Sequence, residues 1–263
     1  MRFIVLAVAL VLSGQSSPLE IGDTFTLRSD VLGEVRRINV YTPPQSSEAS
    51  GQPLPVLYMP DGGIGEDFLH VAGLVQVSVM NGTMRPFLLV GIENTERRRD
   101  LTGPTENAED KKIAPRVGGS AAFRRFLRTE LMPAITARYK TTSEKAIVGE
   151  SLAGLFVVET FLLEPDLFDT YIAFDPSLWW NDSRLVKNAP AILRDLPVKR
   201  ATVFLASGKE ATAMTRAFSE VLREHGPKDA SLFFAAMPAE THATIYHPAA
   251  LRAFRQVFGR SKR

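Results

Sequence analysis

The sequence predicts an α/β protein with a mostly parallel central sheet, N-terminal antiparallel strands and helices on both faces. Short apolar runs alternate with longer helical patterns from about residue 55 to the C-terminus, which is typical of parallel strands joined by helices. Two earlier segments, 24–29 and 36–42, alternate apolar and polar residues and suit half-buried antiparallel strands. Small or polar residues follow several apolar runs, at the sheet edge where ligands bind in such folds.

Composition favours one domain and excludes several classes of function. The chain has 263 residues and is 45% hydrophobic, which suits one large domain with a sizeable core. Its net charge of +2 is too small to indicate a nucleic-acid partner. The sequence contains no cysteine, so disulfides and thiolate chemistry are excluded. We expect residues 17–263 to form a single domain.

The N-terminus has the layout of a secretory signal peptide. A short basic start, Met1–Phe3, precedes an apolar run at 4–12 and a small, polar segment at 13–17. The apolar run is too short for a stable bilayer span. We therefore expect residues 1–16 to be removed and the protein to be periplasmic or secreted. The alternative is a buried N-terminal strand.

The remaining pattern divides into strands, helices and loops in chain order. After the first two strands, further strands are expected at 55–59, 87–92, 146–148, 171–174, 201–206 and 231–237. Helices are expected at 119–139, with a kink at Pro133, and at 155–163, 214–225 and 248–258. Segments 43–53 and 101–116 are expected to be loops.

The segment 149–154, Gly-Glu-Ser-Leu-Ala-Gly, lies between a strand and a helix and has Ser151 at its centre. This context favours a nucleophile elbow, a sharp turn that presents a serine above the sheet. Residues two before and two after the serine must be small, and Gly149 and Ala153 both are. The following helix N-terminus suits a developing oxyanion. The alternative is an ordinary turn with an incidental serine.

A serine nucleophile needs a neighbouring base, and the chain order selects it among four histidines. In α/β-hydrolases the order is nucleophile, acid, base, which excludes His70. His225 ends a helix, where a cation is favourable for structural reasons alone. His242 and His247 both lie between the last strand and the last helix. We favour His242, because His247 directly precedes the helix and could belong to its cap.

Two carboxylates could orient that histidine. Glu210 follows the penultimate strand, the usual position of the acid, and we favour it. Asp175 follows the strand after the elbow and stays an alternative. The loop after the strand at 55–59 contains Gly62 and is the natural source of a second oxyanion N–H.

Two further segments border the same predicted edge. The run Arg97–Arg99 could bind an anionic group, but we favour a solvated loop whose arginines pair with its own acids. Trp179 and Trp180 are adjacent, so they cannot both face one side of a regular element. One of them is expected in the core and the other beside a pocket, and the sequence does not decide which.

Seven stretches, taken together, resemble a known family. They are 31–43, 55–63, 90–102, 123–142, 148–156, 165–180 and 240–254. In order along the chain, they resemble the putative-esterase group of α/β-hydrolases, which includes siderophore trilactone esterases. S-formylglutathione hydrolases are more distantly similar. The sequence departs from the family pattern at Ala153, where Gly is usual, and at Asp175, where Ser is common.

The resemblance implies a serine esterase. It implies Ser151 as nucleophile, His242 as base, and backbone N–H groups near Gly62 and of Leu152 as oxyanion donors. It does not choose between Glu210 and Asp175. The expected substrate is a small-molecule ester, either a small acyl ester or a ferric siderophore lactone, and no metal or cofactor is required. A non-catalytic binding protein and an acyltransferase on the same scaffold are the alternatives. The sequence does not indicate an oligomeric state.

Overall fold

A computed structural model describes residues 16–44, 51–194, 196 and 200–259. Fifteen of the residues assigned to the signal peptide therefore lie outside the described part of the chain, and that assignment stays a prediction. Within the described residues, no helix is both long and apolar enough to cross a bilayer.

Eight strands form one sheet, in the order β1-β2-β4-β3-β5-β6-β7-β8. They are β1 Asp23–Ser29, β2 Glu34–Tyr41, β3 Leu54–Pro60, β4 Leu88–Ile92, β5 Thr141–Glu150, β6 Thr170–Phe174, β7 Thr202–Ser207 and β8 Ser231–Ala236. β2 pairs antiparallel with both β1 and β4, and every later pairing is parallel. The predicted mostly parallel sheet with antiparallel N-terminal strands is confirmed.

Helices cover both faces of the sheet. They are α1 Phe68–Met80, α2 Arg97–Asp100, α3 Ala108–Lys112, α4 Ser120–Phe126, α5 Met132–Arg138, α6 Leu152–Leu163, α7 Trp180–Arg194, α8 Thr212–His225 and α9 Tyr246–Val257. Side chains of α1 and α9 pack on one face, and side chains of α4 to α8 pack on the other. Every residue of the strands β3, β4 and β6 is buried between these layers, as expected for parallel strands covered on both faces.

The helices differ from the sequence prediction in several places. The short helices α2 and α3 were not predicted, and α3 interrupts the segment 101–116 that was expected to be a loop. The segment predicted at 119–139 is α4 and α5 joined by a π turn at Leu127–Leu131, and Pro133 sits in the first turn of α5, where its missing N–H matters least. α1 was not predicted, because it exposes Leu69, Val77 and Met80 and so lacks a clean apolar stripe. α7 was also missed, and its backbone is left-handed at 181–183.

A buried ion pair connects β2 to α2. Arg36 is 0% exposed and Asp100 is 1% exposed, and the two side chains form a hydrogen-bonded salt bridge. Arg36 also contacts Glu34 at 2.8 Å, and Asp100 also contacts Arg99 at 2.6 Å, so removing the Asp100 charge leaves two largely buried guanidinium groups with one carboxylate fewer. We expect Asp100→Asn to lower the free energy of unfolding by about 3 kcal/mol, measured by chemical denaturation.

The exposed pair Arg128–Asp166 provides the matched control. Its Asp side chain is 73% exposed, and the shortest nitrogen–oxygen distance is 2.9 Å. Asp166→Asn makes the same substitution opposite an arginine. Because this pair is exposed to solvent, the variant should lower the free energy of unfolding by less than about 1 kcal/mol. Equal losses in the two variants would show that burial does not set the strength of the inner pair.

Candidate active site

The turn between β5 and α6 has the geometry of a nucleophile elbow. Ser151 has φ 60° and ψ −120°, a conformation that non-glycine residues rarely adopt. A Cβ on Gly149 would lie 2.7 Å from the Cβ of Ala153, so position 149 must be glycine. The methyl group of Ala153 is accommodated because Gly149 has none. The strain and the close packing hold the Ser151 side chain at the carboxyl end of the sheet.

His242 lies beside Ser151, on the loop between β8 and α9. Its Nε2 is 3.1 Å from the Ser151 Oγ, which is hydrogen-bonding distance. The loop is tied to the neighbouring β7–α8 connection, where the Lys209 N–H donates to the Glu240 carbonyl at 2.9 Å. The preference for His242 over His247 agrees with this geometry, because His247 lies on α9 with its ring centroid 5.7 Å from that of His70.

The carboxylate that faces the imidazole is Asp175, directly after β6. Its Oδ2 lies 2.7 Å from His242 Nδ1, and its Oδ1 accepts a 2.8 Å hydrogen bond from the Gly208 N–H. Asp175 is 2% exposed, so both oxygens are held by the protein. This is the arrangement that orients a catalytic imidazole. The geometry does not agree with the expectation for Glu210, which has no hydrogen bond or ion pair to His242 within the described residues.

A second carboxylate approaches the same nitrogen. Glu150, the residue before the nucleophile, has Oε1 3.5 Å from His242 Nδ1, and its side chain is 16% exposed. Burial raises the pKa of Glu150 to about 7. The hydrogen bond with Asp175 raises the pKa of His242, and the charge of Glu150 adds to that effect. Sequence reasoning missed Glu150, although its position next to Ser151 could have suggested it.

Glu150 should make stability depend on pH. Its carboxyl pKa is raised from 4.5 to about 7 on folding, so the folded state binds the proton more tightly than the unfolded chain does. Stability is therefore lost as the pH rises through about 7. We expect Glu150→Gln to raise the free energy of unfolding by about 2 kcal/mol at about pH 8 and to give no gain at about pH 5.

Thermal melting at the two pH values measures this difference. Glu220→Gln on the exposed side of α8 is the matched control, and it should shift Tm equally at both values. A Glu150→Gln shift that does not change with pH would contradict a Glu150 pKa that burial raises.

The structure supports one of the two expected oxyanion donors and corrects the other. Leu152 is the first residue of α6, so its N–H has no acceptor within the helix. The Gly62 N–H instead donates to the Ile92 carbonyl at 3.0 Å, which makes it unavailable to a substrate. A Cβ on Gly62 would lie 2.3 Å from the Gly91 Cα. Glycine is therefore required at position 62 because two backbone segments pack closely there, and not because a substrate approaches.

A pocket of about 300 Å³ opens beside the nucleophile. It is lined by Ser151, Asp175, Pro176, Ser177, Trp179, Glu210, Ala211, Met214 and His242. Trp179 is 48% exposed there, whereas Trp180 is buried and its indole N–H donates to the Gly103 carbonyl at 2.9 Å. The structure thus decides which tryptophan borders the pocket.

The arginine run pairs with acids of the protein. Arg97 makes two hydrogen bonds to the Asp61 carboxylate, at 2.7 and 2.8 Å. Arg99 contacts Glu34 at 2.7 Å and Asp100 at 2.6 Å. These two guanidinium groups are thus neutralised by acids of the protein, as expected. The run is not a solvated loop, because it forms the short helix α2, and Asp61 and Glu34 lie in other parts of the chain.

Other titratable clusters do not suggest a metal centre. Within the described residues, no group of three or more His, Asp or Glu side chains is placed to hold a metal ion. His225 ends α8, as predicted, and His70 lies on α1 against Tyr246.

The fold and this site define an α/β-hydrolase. A family model described as "Putative esterase" matches residues 29–232, so the chain belongs to that family. The resemblance deduced from the sequence is therefore confirmed.

Individual relatives are similar over most of the chain. Ferri-bacillibactin esterase BesA of Bacillus subtilis is 31% identical over 188 residues, which cover 66% of this chain and 65% of the relative. Siderophore triacetylfusarinine C esterase of Aspergillus fumigatus is 30% identical over 195 residues, which cover 67% of this chain and 62% of the relative. The matched regions thus span less than two thirds of the length of these relatives.

A solved structure extends the similarity to the fold. The IroE-like serine hydrolase from Shewanella oneidensis superposes with a TM-score of 0.80 and 26% identity. The alignment covers 90% of this chain and 80% of that structure.

Proposed function

We propose that the protein is a serine hydrolase that cleaves carboxylic esters through an acyl-enzyme on Ser151. The observation that carries this proposal is the hydrogen-bonded series Ser151–His242–Asp175, with distances of 3.1 and 2.7 Å. Family membership and the names of the relatives support it. The same series favours an enzyme over a non-catalytic binding protein, because binding alone does not require a strained serine beside an oriented imidazole.

The chemistry follows from the positions of these groups. His242 Nε2 takes the Ser151 proton as Oγ attacks the ester carbonyl, and Asp175 stabilises the imidazolium that forms. The Leu152 N–H stabilises the oxyanion from the helix N-terminus. The imidazolium then protonates the leaving alkoxide, which leaves the acyl group on Ser151. A water activated by the neutral imidazole releases the acid.

The substrate is either a siderophore ester or a smaller acyl ester. The names of the relatives favour a siderophore, since two of them are named as esterases of ferri-bacillibactin and of triacetylfusarinine C. A pocket of about 300 Å³ is large enough for one acyl or alcohol branch of such a molecule. Export across the membrane, predicted from residues 1–16, belongs to the same proposal.

Two substrates distinguish these possibilities. Purified protein is assayed with para-nitrophenyl butyrate by absorbance and with a siderophore triester by chromatographic separation of the products. A siderophore esterase should have at least about a hundredfold higher kcat/KM for the triester, since binding energy from the remote parts of the substrate then lowers the barrier. Hydrolysis of neither ester, with the protein folded, would contradict the proposed function.

A further inference from the structure

Glu210 lines the pocket beside the nucleophile without a partner of its own. Its side chain is exposed and makes no hydrogen bond or ion pair within the described part of the chain. Neighbouring charged groups are paired: Asp175 with His242, Asp61 with Arg97, and Glu240 with Thr244. Since Asp175 rather than Glu210 faces the imidazole, the Glu210 carboxylate is left for another role.

The charged side chains among the described residues that line the pocket are the carboxylates of Asp175 and Glu210 and the imidazole of His242. Among the described residues that line the pocket, none is Lys or Arg. Arg97, which lies near Glu150, is held in two hydrogen bonds by Asp61. The charges of Glu150, Asp175 and Glu210 all favour the protonated form of His242, which means that all three carboxylates lie close enough to act on the site. The pocket is therefore electronegative.

The same pocket presents an aromatic and a thioether surface. Trp179 is 48% exposed and Met214 is 37% exposed, and both line the pocket with Glu210. A tryptophan face attracts cations through its quadrupole, and an adjacent carboxylate adds a Coulomb attraction. Together they match the chemistry of an ammonium group with an apolar shell.

We propose that Glu210 and Trp179 form a subsite for a cationic group of the substrate, so that the enzyme prefers esters bearing an ammonium group near the scissile bond. This inference rests on the proposed ester hydrolysis and specifies the charge of its substrate. It also predicts that a highly anionic iron complex is a poorer substrate than a neutral or cationic one of similar size.

Isosteric ester pairs test the charge alone. On the acyl side, the para-nitrophenyl ester of trimethylammonio-butyrate is compared with the ester in which a tert-butyl group replaces the trimethylammonium group. On the alcohol side, butyrylthiocholine is compared with its tert-butyl analogue. Wild-type protein should prefer the cationic member of at least one pair by about tenfold in kcat/KM. The preference should fall as salt concentration rises.

Three variants locate the effect. The ratio compared is kcat/KM for the cationic ester divided by kcat/KM for its neutral isostere. This ratio should fall to about two or less in Glu210→Gln, and in Trp179→Leu it should be about threefold lower than in wild type. Glu220→Gln, on the exposed side of α8, should keep the wild-type ratio. A wild-type ratio near one for both pairs, or a ratio unchanged in Glu210→Gln, would overturn the proposal while leaving ester hydrolysis intact.

A binding measurement separates this subsite from catalysis. Two amides that resist hydrolysis are titrated into the Ser151→Ala variant, with tryptophan fluorescence as the readout. One is N-(2-trimethylammonioethyl)butyramide, and the other has a tert-butyl group in place of the trimethylammonium group. Tighter binding of the cation, lost with Glu210→Gln, supports the subsite even if no ester is turned over. Equal binding of the two amides, together with a kcat/KM ratio near one for the acyl-side pair, overturns it.

Discussion

Replacing Ser151 by alanine is expected to lower kcat/KM for para-nitrophenyl butyrate by at least about a thousandfold. The Oγ of Ser151 is the atom that attacks, and it lies 3.1 Å from the base. Without it, the residual rate comes only from binding and from the oxyanion donor. Initial rates from purified wild-type and variant proteins, with matched circular dichroism spectra, measure the loss.

Two serines serve as comparisons for this result. Ser177 is the nearby hydroxyl that could replace the nucleophile, because its Oγ is 3.5 Å from the Ser151 Oγ. Ser177→Ala should lose far less activity than Ser151→Ala. Ser143, exposed near the start of the same strand β5, provides a matched control, and Ser143→Ala should keep wild-type kcat/KM. A kcat/KM of the Ser151→Ala variant within tenfold of the wild-type value would contradict the assignment of Ser151 as the nucleophile.

Replacing Asp175 by asparagine is expected to lower kcat/KM by about a thousandfold to ten-thousandfold. An asparagine at this position no longer stabilises the imidazolium and can favour the wrong tautomer of His242. Glu150 lies 3.5 Å from the same nitrogen of His242 and should still partly stabilise the imidazolium in this variant. The double variant Glu150→Gln Asp175→Asn should therefore have a lower kcat/KM than either single variant.

The pH profile shows whether Asp175 acts through the imidazole. The hydrogen bond with Asp175 raises the pKa of His242 above 6.5, and only the neutral imidazole can act as base. The acid limb of the kcat/KM profile should therefore lie above 6.5 in wild type and move to lower pH in Asp175→Asn. Glu210→Gln should lower kcat/KM for a neutral ester by at most about tenfold. A larger loss from Glu210→Gln than from Asp175→Asn would restore Glu210 as the acid.

The sequence was sufficient to predict the sheet and two residues, Ser151 and His242, that the structure brings together in the candidate site. Apolar runs such as 87–92 and 171–174 are buried on both faces, so their strand character depends on local composition. Ser151 was predictable because the small residues around it are required by steric packing that acts within one turn. His242 followed from chain order, which the fold imposes on the triad.

Other features depended on geometry that no local pattern encodes. Asp175 and Glu210 both follow strands at the same edge, and their loops decide which carboxylate reaches the imidazole. Asp175 has φ 42° and is held by the Gly208 N–H, which turns its carboxylate towards His242. The N–H of Gly62 appeared available because its partner, the Ile92 carbonyl, is 30 residues away along the chain. Long-range contacts of this kind are visible only after the strands have been placed.

Covalent labelling with a fluorophosphonate tests the central claim most directly, because the reagent reacts with serines activated by an oriented base. Trypsin should release residues 146–184 as one peptide, which contains both Ser151 and Ser177, so fragment ions must locate the label. We expect one label per chain, on Ser151, and none on the Ser151→Ala variant. A folded wild-type protein that stays unlabelled, or a label on another residue, would contradict the proposed serine hydrolase.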